Sequence, residues 1–150
     1  MVFHIDTQLG YQLPGSTHGH LGIQRLQYIS TRGEAPALDF EGALMAGLAR
    51  DGGLYVPQTW PHFSPAEIAG MAGHRYVDMA QMVMQSFVGE AIESDELAGL
   101  LNNAYGSFAH PAVTPLIQLD SNLWLLELFH GPTLAFKDLA MQLLGLLMDR

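Results

Sequence analysis

The chain of 150 residues contains no cysteine, which excludes a disulfide frame and any zinc site built on thiolates. It is poor in basic residues: six Lys and Arg stand against fifteen Asp and Glu, a formal charge of −9. The cationic surface that nucleic-acid binding requires is therefore missing. The acids are scattered, as on a solubilising surface. No run approaches the roughly 18 apolar residues of a membrane span. The opening MVFHIDTQLG has no basic segment leading into an apolar one, so it does not resemble a secretory signal. The resulting expectation is a cytoplasmic protein with neither a nucleic-acid nor a membrane partner. The scarcest residue after cysteine is lysine, whose single copy is Lys137 in HGPTLAFKDLA, residues 130–140.

What is present is enough for a core. Hydrophobic residues make up 49% of the chain, and its length suits one domain, or one domain and part of another. Residues 1–26 show no sustained period and gather Gly, His, Ser and Thr around Pro14–Gly22, so a flexible extension is expected there. His4, His18 and His20 are the candidate metal ligands, but a Gly-rich loop is a poor preorganised site, and no metal is expected.

From Gln27 the pattern becomes regular. QYIS suits a short strand. DFEGALMAGLARDGG reads as one helix, with Phe40, Ala43, Leu44, Gly47 and Leu48 on a single face, Asp39 capping its start and Gly52–Gly53 ending it. LYVP is extended. SPAE at 64–67 is a capping box with proline at the first helical position. RYVDMAQMVMQSFVG is a further helix, with Tyr76, Met79, Ala80, Val83 and Phe87 on one face, and its methionines read as core filler. Ser94 is expected to cap the next helix, which carries Leu97, Leu100, Leu101, Ala104 and Phe108. After HPAVTP, LIQL and LWLLELF read as two strands joined at Asp120-Ser121-Asn122, the second buried on both faces. Gly131-Pro132-Thr133 breaks that strand. A helix apolar nearly all round then follows to the end of the chain, as a helix in the middle of a larger structure would be.

A strand, a Gly-Pro break and a helix are how α/β domains present reactive groups. Lys137 falls in or near the first helical turn, where the helix dipole disfavours a cation, and its apolar neighbours favour the neutral amine. A neutral amine attacks aldehydes, as Schiff-base lysines do. The local pattern is equally that of a lysine snorkelling out of a buried helix.

YISTRG at 28–33, DGGLYVP at 51–57 and LFHGPTLAFKD at 128–138 occur here in the order in which threonine synthases carry them. LDSNLWLLELF is similar to the segment that leads into their lysine. From about Gln27 to Arg150 the chain resembles the branch of that family with a long N-terminal domain. The resemblance implies a pyridoxal 5′-phosphate enzyme with the fold of the tryptophan synthase β subunit. Such an enzyme converts O-phospho-L-homoserine and water into L-threonine and phosphate, in threonine biosynthesis. It makes Lys137 the Schiff-base and catalytic lysine, with Phe136 against the cofactor ring or in plain core packing. Asp138 holds an active-site hydrogen bond or favours the positive helix end. For the substrate it offers Arg32, or else a surface salt bridge for that residue. His130 orients the turn or approaches the substrate, and Thr133 caps the helix or faces the site.

The implied fold class is α/β: a small α+β N-terminal domain over 27–110, then the opening of the cofactor domain over 111–150. No dense Gly-rich loop able to cradle the cofactor phosphate follows Lys137. The expectation is thus a truncated enzyme, inactive alone, whose partner is the missing C-terminal part of the same protein. The alternatives are a non-catalytic fragment or a small helical interaction domain.

Overall fold

The computed structural model describes residues 2–4 and 26–150. Strand β1 (Val2–His4) lies within the stretch expected to be a flexible extension, and the rest of that stretch up to Arg25 lies outside the described residues, His18 and His20 included. Strands β2 (Tyr28–Ser30) and β3 (Tyr55–Pro57) pair antiparallel, Ile29 opposite Val56. Between them lies helix α1 (Phe40–Ala46), capped as expected by Asp39, whose carboxylate accepts from the Gly42 amide.

Helix α1 ends earlier than its hydrophobic period suggests. Gly47 turns into the left-handed region at φ 65°, a conformation that suits glycine. Leu48 then pairs with Leu54 in an isolated bridge instead of extending the helical face. The residues after Gly47 form a tight return, and Gly52–Gly53 belongs to that return.

The helical layer follows. Helix α2 (Pro65–Gly70) carries both bonds of the capping box, Glu67 N–H to Ser64 Oγ at 3.2 Å and Ser64 N–H to Glu67 Oε2 at 2.7 Å, with Pro65 at its start. Helices α3 (Tyr76–Val88) and α4 (Ser94–Tyr105) pack together. Ser94 is the first helical residue of α4 and Glu93 the cap. The Ser94 hydroxyl instead accepts from the Gln81 amide at 2.9 Å, which ties α4 to α3. Strands β4 (Leu116–Asp120) and β5 (Leu123–Leu126) form the expected hairpin, and β1 extends it on the far side of β5 in an antiparallel sheet of order β1-β5-β4. Helix α5 (Asp138–Met148) closes on α4.

The core is where these helices meet: Val88, Ile92, Leu97, Leu101, Ala104, Tyr105, Val113 and Leu143 are buried together. Tyr105 serves it twice, edge-on to Tyr76 with ring centroids 5.1 Å apart and donating its hydroxyl to the Leu139 carbonyl at 3.0 Å. Burial pushes that phenol up to about 12, ahead of the neighbouring Tyr76. Of the methionines, Met84 packs on the core while Met82 is exposed. The residues of β5 are half-buried, not enclosed on both faces, and those of β4 are exposed. On α5 only Asp138 and Leu143 are fully buried.

Two outcomes follow. Leu97→Ala removes a side chain with no exposed surface and should cost about 2–5 kcal/mol, read as a lower urea midpoint at unchanged slope. Gly99→Ala, where a Cβ meets no atom within 4 Å, should raise stability by up to about 1 kcal/mol through helix propensity. The exposed Leu116, Ile117, Leu119, Phe129, Leu134, Phe136 and Met141 form apolar surface of the kind that drives association. The 150-residue chain alone should therefore self-associate in light scattering, and a monodisperse monomer would contradict this.

Candidate active site

Strand β5 ends at Leu126, and the hairpin register carries one residue further. The Glu127 amide donates to the Pro115 carbonyl at 3.0 Å, and the Glu127 carboxylate meets His130 Nε2 at 2.8 Å. The His130 carbonyl accepts from the Ala109 amide at 2.8 Å, and its ring lies 4.7 Å from Phe129 and 5.1 Å from His110 between centroids. His130 is thereby fastened to both sides of the turn.

The loop after it bends sharply. Leu134 adopts φ 62°, a left-handed conformation that costs a branched L residue about 1–2 kcal/mol. Its amide donates to the Gly131 carbonyl at 3.1 Å, and Asp138 holds the preceding Thr133. Asp138 is only 4% exposed, and its carboxylate accepts from the Thr133 amide and the Thr133 hydroxyl, each at 2.7 Å. Gly131 passes so close that a Cβ there would collide with the Asp138 side chain. Burial alone would push the Asp138 carboxyl up. The bonds from the Thr133 hydroxyl and amide, with Gln142 and the Ala135 backbone, outweigh burial and hold it below its ordinary value.

The opposite side of this loop is open. Leu134 is 72% and Phe136 64% exposed, so neither encloses the amine. Lys137 stands exposed at the N-cap of α5, its carbonyl accepting from Met141 at 2.8 Å. Its neighbour in the chain, Phe136, lines an open apolar cleft of about 430 Å³ with Leu125, Leu126, Leu128 and Phe129, within the size range of small-molecule sites. The junction thus offers an exposed primary amine one residue after the phenylalanine of an apolar wall. That combination fits the aldehyde and the ring of a pyridoxal group. Among the described residues no glycine-rich loop cradles a phosphate beside it. No group of three or more His, Asp or Glu among the described residues is arranged to hold a metal, and no helix among them is long and apolar enough to cross a membrane.

Arg32 belongs to a different cluster. Its Nη1 donates to the Asp51 carbonyl at 3.0 Å rather than to a carboxylate. The Asp51 carboxylate gathers the Ser30 hydroxyl at 2.8 Å and the amides of Gly53, Glu34 and Ala35 at 2.9, 3.0 and 2.9 Å. Partial burial opposes the charge, but these donors, the Gly53 amide first, lower its pKa to about 2. STRG and DGG are therefore two halves of one knot, and no hydrogen bond of Arg32 reaches residues 127–138. Sequence reasoning missed Asp51 as its hub and Glu127 as the partner of His130. The available signals were an acid ahead of two glycines and an acid three residues before a histidine.

Helices and short antiparallel strands, ahead of a strand–turn–helix junction that displays an amine, define a protein of the mixed α/β class. A family model described as "Threonine synthase N terminus" matches residues 27–105, over half of the chain. The chain is 57% identical over 124 residues to threonine synthase from Pseudomonas aeruginosa, covering 83% of this chain and 26% of that protein. The crystal structure of PLP-bound threonine synthase from Brucella melitensis superposes with a TM-score of 0.79 at 54% identity, over 83% of this chain and 27% of that one. Yeast threonine synthase gives 0.76 at 36% identity, over 86% and 26%. The chain belongs to the threonine synthase family, and it spans about a quarter of the length of these relatives.

The Asp51 knot makes a signed pH prediction. A carboxyl with a folded pKa of about 2, against an ordinary value of 3.8, contributes stability above the higher value and loses it as pH falls toward the lower. Asp51→Asn should be less stable than wild type at pH 6, and the gap should narrow between about pH 4 and 2. Thermal melts across that range check it, and a gap independent of pH contradicts it.

Proposed function

We propose that this chain is the N-terminal portion of a threonine synthase. In this reading it supplies the lysine that binds pyridoxal 5′-phosphate in the conversion of O-phospho-L-homoserine and water to L-threonine and phosphate. The observation that carries the reading is the chain's only lysine, exposed one residue after the Phe136 that lines an apolar cleft, in a member of this family. Lys137 would hold the cofactor through its aldehyde, and Phe136 with the cleft walls would contact the ring. When bound, the cofactor supplies an electron sink for negative charge developing at the substrate's α and β carbons.

The chain's own residues then have separable tasks. The Lys137 amine would also act as the general base that removes and returns protons at the substrate's α and β carbons. Leu125, Leu126, Leu128, Phe129 and Phe136 would offer the ring an apolar wall on that side. The Glu127–His130 pair fixes the approach to the loop and leaves His130 beside the cleft wall as the nearest candidate for the substrate. Thr133 and Arg32 are the weaker candidates, since the Thr133 hydroxyl and the Arg32 guanidinium already serve Asp138 and Asp51. The cofactor's phosphate and ring nitrogen would be met by the part of the enzyme that the longer relatives have and this chain does not contain. That part is its proposed partner.

Reduction with borohydride tests the reading. Full-length enzyme loaded with pyridoxal phosphate should yield, after reduction and digestion, one phosphopyridoxyl peptide modified at Lys137. Lys137→Ala should lose both the label and the visible absorption band, and kcat should fall at least about 1,000-fold with loss of the nucleophile and base. A label elsewhere, or a band that survives the substitution, overturns the assignment.

A further inference from the structure

We propose that Asp138 is a positioning residue. Its buried carboxylate ties Thr133 and packs against Gly131, and so sets the direction in which Lys137 leaves the loop. This rests on the reading of Lys137 as the cofactor lysine and concerns what makes that amine effective.

Asp138 follows Lys137 directly, yet the two face opposite ways: the carboxylate is 4% exposed while Lys137 stands exposed. An aspartate in a first helical turn ordinarily serves the helix dipole or its own first amides. Here it reaches back five residues to the amide and hydroxyl of Thr133, both at 2.7 Å. Gly131 has no room for a Cβ against it, and the left-handed Leu134 lies within the closed loop. A strained residue persists only where its surroundings over-determine it. The backbone from Thr133 to Asp138 is therefore held at both ends by one side chain, with Leu134, Phe136 and Lys137 exposed. Holding the base within hydrogen-bond reach of its proton is worth a large part of the rate, and a shift of about 1 Å can cost about 100-fold.

Chemistry separates a knot from a direct charge effect. Asp138→Asn removes the charge but keeps the pair: the amide oxygen accepts from the Thr133 N–H, and the amide nitrogen donates to the Thr133 hydroxyl. Thr133→Val keeps the charge and removes the hydroxyl half of the knot. Thr133→Ser restores it.

The test uses the full-length enzyme. Cofactor-free protein is mixed with pyridoxal phosphate, borohydride is added at set times, and the labelled fraction at Lys137 gives the attachment rate. Steady-state kcat and KM on O-phospho-L-homoserine are measured alongside, and circular dichroism confirms that each variant is folded. Thr133→Val and Asp138→Ala should lower the attachment rate and kcat by about 100-fold with KM little changed. Thr133→Ser should restore both, and Asp138→Asn should stay within about tenfold of wild type, above Thr133→Val. Loss of stability alone would not divide kcat from KM in a folded variant. The proposal is overturned if folded Thr133→Val attaches and turns over at the wild-type rate, or if Asp138→Asn is as slow as Thr133→Val or slower. If wild type itself gives no label at Lys137, it is the assignment of the cofactor lysine that fails.

Discussion

A buried carboxylate taking two bonds from one threonine is the constraint on which the lysine junction depends. Without the Thr133–Asp138 contacts, the segment after β5 is a Gly-Pro turn followed by exposed leucine and phenylalanine. Such a turn has many conformations, and closing it costs entropy that its exposed side cannot repay. The carboxylate removes that freedom from inside. It also explains the composition of the stretch. Gly131 is required because the chain passes against Asp138, Thr133 because both its amide and its hydroxyl are used, and Asp138 because its two oxygens reach both at once.

The same device recurs at the other end of the chain. Asp51 closes the return after Gly47 by collecting Ser30, Gly53, Glu34 and Ala35. Each knot organises a loop that the hydrophobic core does not reach. The core itself lies among α3, α4 and α5, and the loops at either side are fixed by acids whose donors are backbone amides and hydroxyls. Tyr28 joins the small β2–β3 sheet to the helices by donating its hydroxyl to the Phe87 carbonyl at 2.8 Å. Tyr105 does the same for α5. The result is a rigid platform in which few long-range polar contacts carry the relative placement of the layers.

These knots are also where legibility in the sequence ended. Periodicity identified α3 and the hairpin of β4 and β5, and the capping box located the start of α2, because those signals are local. It extended α1 to Gly52 because Leu48 falls on the apolar face; the left-handed Gly47 and the Asp51 hub, which overrule that face, depend on contacts between distant residues. Ser94 looked like a cap because serine usually is one, and its hydroxyl was instead taken by Gln81 thirteen residues earlier. Lys137 was singled out by its rarity, and its place at the start of α5 agrees with the pattern. The enclosure by Leu134 and Phe136 did not follow, because adjacency along the chain says nothing about which way a loop turns. Asp138 had a visible position and an invisible direction, since reaching back to Thr133 is a property of the folded turn.

The shortage of lysine acquires a physical meaning once the arginines are located. Arg75 pairs bidentately with Asp78, Arg150 binds Glu41 and Glu96, and Arg32 holds the Asp51 carbonyl. The structural cationic work of these described residues is done by guanidinium. Guanidinium stays protonated at any ordinary pH and does not attack an aldehyde. An aldehyde cofactor meeting this chain encounters only one side-chain amine, and that amine stands on the fixed junction at α5. A lysine placed for charge on the surface would compete for the same reagent without contributing to the reaction. Replacing structural lysines by arginine costs little in ion pairing, because the planar fork binds carboxylates at least as well. It leaves the chain with a single side-chain amine, on the loop that Asp138 closes.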